Sequence, residues 1–171
     1  VSHSSSDALS LASALYVMRM FSLPDTSDVR NGLSQLQNAD GSWSWWNGMR
    51  GSAHVTASVA RLLARLTHYG LSDAETDAML RKAMPYLLNE LSMEAAELRK
   101  MQQKNPKLSL MLSSTTIDIL YICAMTDGKY DVADRAAQRD IKYLISLTEK
   151  HSSALSLYSK AQMAVIHAVK G

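Results

Sequence analysis

A single cysteine stands among the 171 residues, and one thiol excludes both an internal disulfide and a multi-cysteine zinc set. Three prolines and seven glycines are all the backbone punctuation there is, so the periodic stretches between them run long. Neither sign of charge dominates. Lys and Arg number 18 against 16 Asp and Glu, a formal net charge of +2, and with the signs interspersed that balance argues against a dedicated nucleic-acid surface. No apolar run approaches the roughly 18 residues that span a bilayer, so membrane contact is expected only through an anchor outside this chain. The start, Val1-Ser2-His3-Ser4-Ser5-Ser6, is neither a basic n-region nor an apolar h-region, and no signal peptide is expected there. Val in first place reads as an excised or processed chain.

What is present is globular in character, with 47% hydrophobic and 20% charged residues. The length suits one domain able to bury a sizeable core, and residues 1–171 are expected to form a single helical segment. Val55, Val59, Leu62, Leu63 and Leu66 occupy one face of a 3.6-residue period, with Arg61, Arg65 and His68 opposite. Gly70 is placed to end that helix in a left-handed conformation. Ser72-Asp73-Ala74-Glu75 has the capping-box pattern, and Leu80, Met84, Leu87, Leu88, Leu91, Ala95 and Leu98 continue one stripe beyond it. Pro85 inside that stripe should kink the helix or divide it.

Asn105-Pro106 is a break, and residues 110 to 126 then read as a buried helix closed by Asp127-Gly128. Ala133, Ala137, Ile141, Leu144 and Ile145 mark the next helix, and Ala154, Tyr158, Ala161, Val165 and Ala168 the last. Near the start, residues 6 to 21 carry Leu9, Leu11, Leu15 and Met18. A second helix around Val29, Leu33 and Leu36 is interrupted by Asn31-Gly32, where glycine costs about 1 kcal/mol relative to alanine. The expected fold is all-α, about seven helices in stacked hairpins. Lys82-x-x-x-Tyr86-Leu87-Leu88 echoes as Arg139-x-x-x-Tyr143-Leu144-Ile145, which suits stacked pairs.

One segment departs from this pattern. Residues 36 to 54 hold all three tryptophans, Trp43, Trp45 and Trp46. Asp40-Gly41 is a turn signal, and Ser52 is placed to cap the following helix. One reading makes the segment a recognition platform, with rigid indoles for contact and Arg50 and His54 orienting an acidic or carbonyl group. The other makes Gln37 and the tryptophans structural, the amide bonding a helix end and the rings covering a junction between helices.

Leu33-x-x-Leu36-Gln37-x-x-Asp40-Gly41-Ser42-Trp43 resembles the Q-x-x-D-G-x-W helix–turn element of α/α-toroid proteins, among them terpene cyclases, protein prenyltransferases and thioester-containing complement-like domains. Trp43-Ser44-Trp45-Trp46 followed by Val55-Thr56-Ala57, and the later Leu155-Ser156-Leu157-Tyr158-Ser159-Lys160-Ala161, resemble stretches of the bacterial α2-macroglobulin family. The resemblance is specific at residues 33 to 59 and general between 72 and 150. It implies part of an α/α toroid in an exported, extracytoplasmic protease-trapping protein, whose partners are proteases and the neighbouring domains of its own chain. About seven helices would make an open half-ring with an exposed apolar edge. The family's Cys-x-Glu-Gln thioester has no counterpart near Val1 to Ser13. Cys123 lacks the Glu-Gln partner and reads as a small core residue. Either the motif lies upstream of this segment or the member lacks it, and the Ser-rich start, followed at once by helix, favours a thioester-less member.

Enzymes of this architecture need chemistry that the chain does not display. Asp73-Ala74-Glu75-Thr76-Asp77 reads as a capped helix start rather than a cyclase acid motif. Cys123 has no convincing zinc partners. His3, His54, His68, His151 and His167 are dispersed without a G-x-S-x-G elbow, and Gly48-Met49-Arg50-Gly51 lacks phosphate-loop spacing. The expectation is a non-enzymatic chain without cofactor or metal. Two alternatives stay open: an α/α-toroid enzyme fragment acting on isoprenoids or glycans, with the tryptophans and Asp73, Asp77 and Asp118 in one pocket, or a helical-repeat scaffold that binds peptide.

Overall fold

A computed structural model describes residues 7–126, 129–130, 135–150 and 155–170. Among them are seven α-helices and no strand: α1 (Ala8–Met20), α2 (Ser27–Gln35), α3 (Ala53–His68), α4 (Ala74–Lys104), α5 (Ser114–Met125), α6 (Arg135–Lys150) and α7 (Leu157–Lys170). The chain forms two compact units, Val1–Tyr86 and Leu87–Gly171.

In the first unit α1 packs on α2 and α3. Asp7 caps α1 by accepting the Ser10 amide at 2.8 Å. At the other end Ser22 takes the left-handed position at φ 54°, and Leu23 N–H returns to Met18 O at 2.9 Å. Gly32 does not stop α2. It lies against α1, where an added Cβ would meet Leu11 Cδ1 at 3.4 Å, an ordinary van der Waals contact. Gly70 ends the run after α3 as expected, at φ 70° with Leu71 N–H on Leu66 O at 2.8 Å.

The start of α4 corrects the expected cap by one residue. Asp73, not Ser72, is the N-cap: its Oδ1 accepts Thr76 N–H at 2.8 Å, and Thr76 Oγ1 accepts Asp73 N–H at 2.8 Å. A threonine hydroxyl closes this box as well as a carboxylate does, which leaves Glu75 free to pair with Arg30 at 3.2 Å. Arg19 of α1 reaches the same cap, donating to Asp73 Oδ2 at 2.6 Å, to Leu71 O at 2.8 Å and to Thr26 Oγ1 at 2.9 Å. Pro85 does not divide α4. The bond it removes would end on the Arg81 carbonyl, and both residues are exposed, so water can serve that carbonyl.

The second unit is centred on α5, whose residues from Thr116 to Met125 are all buried. This helix begins at Ser114 rather than near 110, because Ser113 caps it. Ser113 Oγ accepts Thr116 N–H at 3.1 Å, and Glu94 of α4 accepts the Ser113 amide at 2.9 Å and its hydroxyl at 2.8 Å. Leu110 and Leu112 are buried ahead of the helix. The closing Asp127-Gly128, and the expected positions Ala133 and Ala154, lie outside the described residues.

Helix α6 meets α4 through Arg99, which donates to Asp140 at 2.6 Å and lies over the Tyr143 ring at 4.4 Å. The two echoed segments share one burial pattern, with Leu87 and Leu144 buried and Tyr86 and Tyr143 half-buried. Helix α7 packs on α5, but on a face other than the expected one. Ser159, Gln162, Met163 and Ile166 are buried, while Tyr158, Ala161, Val165 and Ala168 are exposed. The reason is a polar pair: Gln162 Nε2 donates to Oδ1 of buried Asp118 at 2.7 Å, and that bond turns a polar residue inward. None of the helices described is long and apolar enough to cross a membrane.

Candidate functional site

The segment between α2 and α3 divides into two parts with different work. The first clasps helices. Gln37 donates both amide hydrogens, to Gly41 O at 2.9 Å and to Met79 O of α4 at 2.9 Å. Asp40 Oδ1 accepts the Ser42 hydroxyl at 2.6 Å and the Ser42 amide at 3.0 Å. Those bonds, the hydroxyl first, hold its carboxyl below the usual carboxylate pKa. Gly41 has φ 88° and sits directly on α4, where a Cβ would lie 1.9 Å from Lys82 O. Only glycine meets both demands.

Trp43 is fully buried. Its indole N–H donates to Leu33 O of α2 at 3.0 Å. Its backbone is held by the Thr56 hydroxyl of α3, which accepts Trp43 N–H at 2.9 Å and donates to Trp43 O at 3.2 Å. One residue thus ties α2 to α3 with its polar atoms satisfied, while Gln37 and Gly41 bring in α4. Nothing in the apolar periodicity marks Thr56 for this role, because its hydroxyl is directed at loop backbone rather than at another side chain.

The second part faces outward. Trp45 is 53% exposed and Trp46 69%. Trp45 stacks on exposed His54, ring centroids 5.7 Å apart and planes at 25°. The loop beneath them is internally bonded: Asn38 Nδ2 donates to Ser44 Oγ at 2.9 Å, Ser44 Oγ donates to Met49 O at 2.6 Å, and Met49 N–H donates to Trp46 O at 3.1 Å. Ser52 caps α3 as expected, accepting Val55 N–H at 3.3 Å. A cleft of about 580 Å³ opens between this loop and the start of α1, lined by Asp7, Ser10, Ser13, Ser44, Trp45 and Trp46 among others.

The eight residues singled out in the sequence therefore separate. Gln37, Asp40, Gly41 and Trp43 belong to the clasp, and Trp45, Trp46 and His54 belong to the surface. Arg50 is exposed and is not among the residues lining the cleft. Asp7, Ser10 and Ser13 carried no sequence signal, since they meet the tryptophans only through the packing of α1.

The acidic residues offered for an enzyme pocket are engaged elsewhere. Asp73 takes Arg19 and Arg30, Asp77 accepts the Thr67 hydroxyl at 3.3 Å, and Asp118 accepts Gln162. Trp43, buried in the clasp, is no part of the cleft lining. Cys123 is buried in α5. Among the described residues no three His, Cys, Asp or Glu side chains group as a metal site. His3 and His151 lie outside the described residues. Compared with known protein families, with curated proteins and with solved structures, the chain finds no match.

Proposed function

We propose that this chain is a non-catalytic segment of a bacterial α2-macroglobulin-like protease-trapping inhibitor, contributing packing and protein contacts within an α/α toroid. The observation that carries the reading is the clasp. Of the residues bearing the family resemblance, Gln37 and Trp43 bond the backbone of neighbouring helices, and Gly41 lets the turn lie directly on α4. A motif used this way holds helix pairs in register. The buried position of Cys123 agrees with a member that traps its protease mechanically, without a thioester.

On this reading the parent protein is exported, acts in the periplasm or cell envelope, and meets proteases through its other domains. Incubating the full-length parent with broad-specificity proteases should give limited cleavage, a change in native-gel mobility and retention of the protease. If no protease produces cleavage coupled to a mobility change, the inhibitor reading fails.

A further inference from the structure

Asparagine followed by glycine is prone to deamidate itself. The glycine nitrogen attacks the side-chain carbonyl carbon of the asparagine, and a residue without a Cβ leaves that approach unhindered. The chain contains the pair twice, as Asn31-Gly32 and Asn47-Gly48, and the fold puts the two in opposite circumstances.

Asn31-Gly32 lies inside α2. The Gly32 amide, beyond the first turn of that helix, belongs to the helix's own hydrogen-bond ladder. Attack there must await opening of the helix. Asn47-Gly48 lies in the outer turn of the tryptophan segment, with both residues exposed. Met49 N–H on Trp46 O at 3.1 Å makes them the central pair of a β-turn, and Gly48 at φ 81° stands where a type II turn takes its glycine. Neither the Asn47 side chain nor the Gly48 amide has a hydrogen-bond partner among the described residues. A Cβ added at Gly48 would meet nothing within 4 Å. The nucleophile is unoccupied, and the space around it is open. Asp40-Gly41, a related pair, is closed on both counts. Gly41 N–H donates to Asn38 O at 3.0 Å, and Asp40 Oδ1 accepts the amide and hydroxyl of Ser42.

We propose that Asn47 is a site of spontaneous deamidation. The Gly48 nitrogen bonds to Asn47 Cγ, and its proton leaves with the side-chain nitrogen as ammonia, which gives a cyclic succinimide. Water then adds to one of the two ring carbonyls. Breaking the new Cγ–N bond yields aspartate, and breaking the original peptide C–N bond yields isoaspartate, whose main chain runs through the former side chain. Either product sets a carboxylate next to Trp46 in the chain and takes the formal net charge from +2 to +1. Isoaspartate also lengthens the main chain of the turn by a methylene group. The tryptophan loop therefore changes charge and shape as the protein ages. This does not depend on the protease-trapping reading, which is tested on the parent protein.

The full chain, kept in mildly alkaline buffer and sampled over days, is followed by peptide mapping with mass spectrometry. The peptide carrying Asn47 should gain about one dalton, the change from amide to acid, and should accept methyl groups from a protein isoaspartate methyltransferase. The peptide carrying Asn31 should lag by at least about tenfold, because α2 must open first. In a parallel sample unfolded in urea the lag should disappear. Asn47→Gln, in which the same attack would close a larger ring, should lose the gain and leave the rest of the map unchanged. The proposal is overturned if Asn47 in the folded chain reacts no faster than Asn31, or stays intact while the urea sample reacts. It is equally overturned if Asn47→Gln gains the same mass in the same peptide, which would place the reacting group elsewhere.

Discussion

Gly41, Trp43 and Trp46 stand within six residues of sequence and answer to different physics. At Gly41 the left-handed φ and the contact with the Lys82 carbonyl act together, so any side chain must strain the turn and push α4 away. Gly41→Ala is expected to lower stability by about 3 kcal/mol or more, in the range reserved for strained and overpacked sites. Trp43→Ala removes a fully buried ring and leaves Leu33 O without its donor, at a cost of about 3–5 kcal/mol. Trp46→Ala should change stability by no more than about 0.5 kcal/mol, because the ring is mostly in water. Urea unfolding of the three variants separates these outcomes. Equal losses at Trp43 and Trp46 would contradict the division of the loop into clasp and surface.

At the scale of the element, the start of α4 is held by two guanidinium groups, those of Arg19 and Arg30. Partial burial pushes the Asp73 carboxyl up, but the Thr76 amide and the Arg19 and Arg30 guanidinium groups outweigh it. Its pKa lies well below the usual carboxylate range. A depressed carboxylate contributes stability that is fully present above its unfolded value of about 3.9 and is lost as pH falls toward the folded value. Asp73→Asn keeps a capping side chain but removes the charge. It should lower stability at neutral pH by on the order of 2 kcal/mol and flatten the loss of stability below about pH 4. Urea midpoints at pH 7 and pH 3 check both. A variant whose acid limb is as steep as the parent's would show that Asp73 is not the group responsible.

At the scale of the whole molecule, apolar surface is left open in each unit. In the first unit, α1 and the residues after it expose Val17, Met20, Phe21 and Leu23; in the second, α7 exposes Leu157, Tyr158, Val165 and Val169. Faces of this kind favour association. In helical arrays the outer face of a terminal repeat is ordinarily polar. The chain is expected to self-associate as concentration rises, and Leu157→Glu combined with Val165→Glu should shift the equilibrium toward monomer. Sedimentation velocity over a concentration series reads this directly. A parent chain that stays monomeric throughout would show that the α7 face is not sticky.

Much of this protein could be read along the chain. The helical class follows from the 3.6-residue spacing of Val55 to Leu66 and of Leu80 to Leu98. The ends at Gly70 and Asn105 follow from backbone preference alone, since a residue's allowed φ/ψ is a local property. The turn at Asp40-Gly41 was legible for the same reason. Three matters were decided only by the tertiary structure. Which apolar stripe of α7 faces inward depended on a bond from Gln162 to an aspartate 44 positions away. Which box capped α4 depended on Arg19 and Arg30 arriving from α1 and α2. Which tryptophan was buried depended on a threonine of the next helix holding the backbone of Trp43. Periodicity reports how apolar a face is, but a polar side chain is buried wherever a partner compensates its desolvation, and partners distant in sequence meet only in the folded chain.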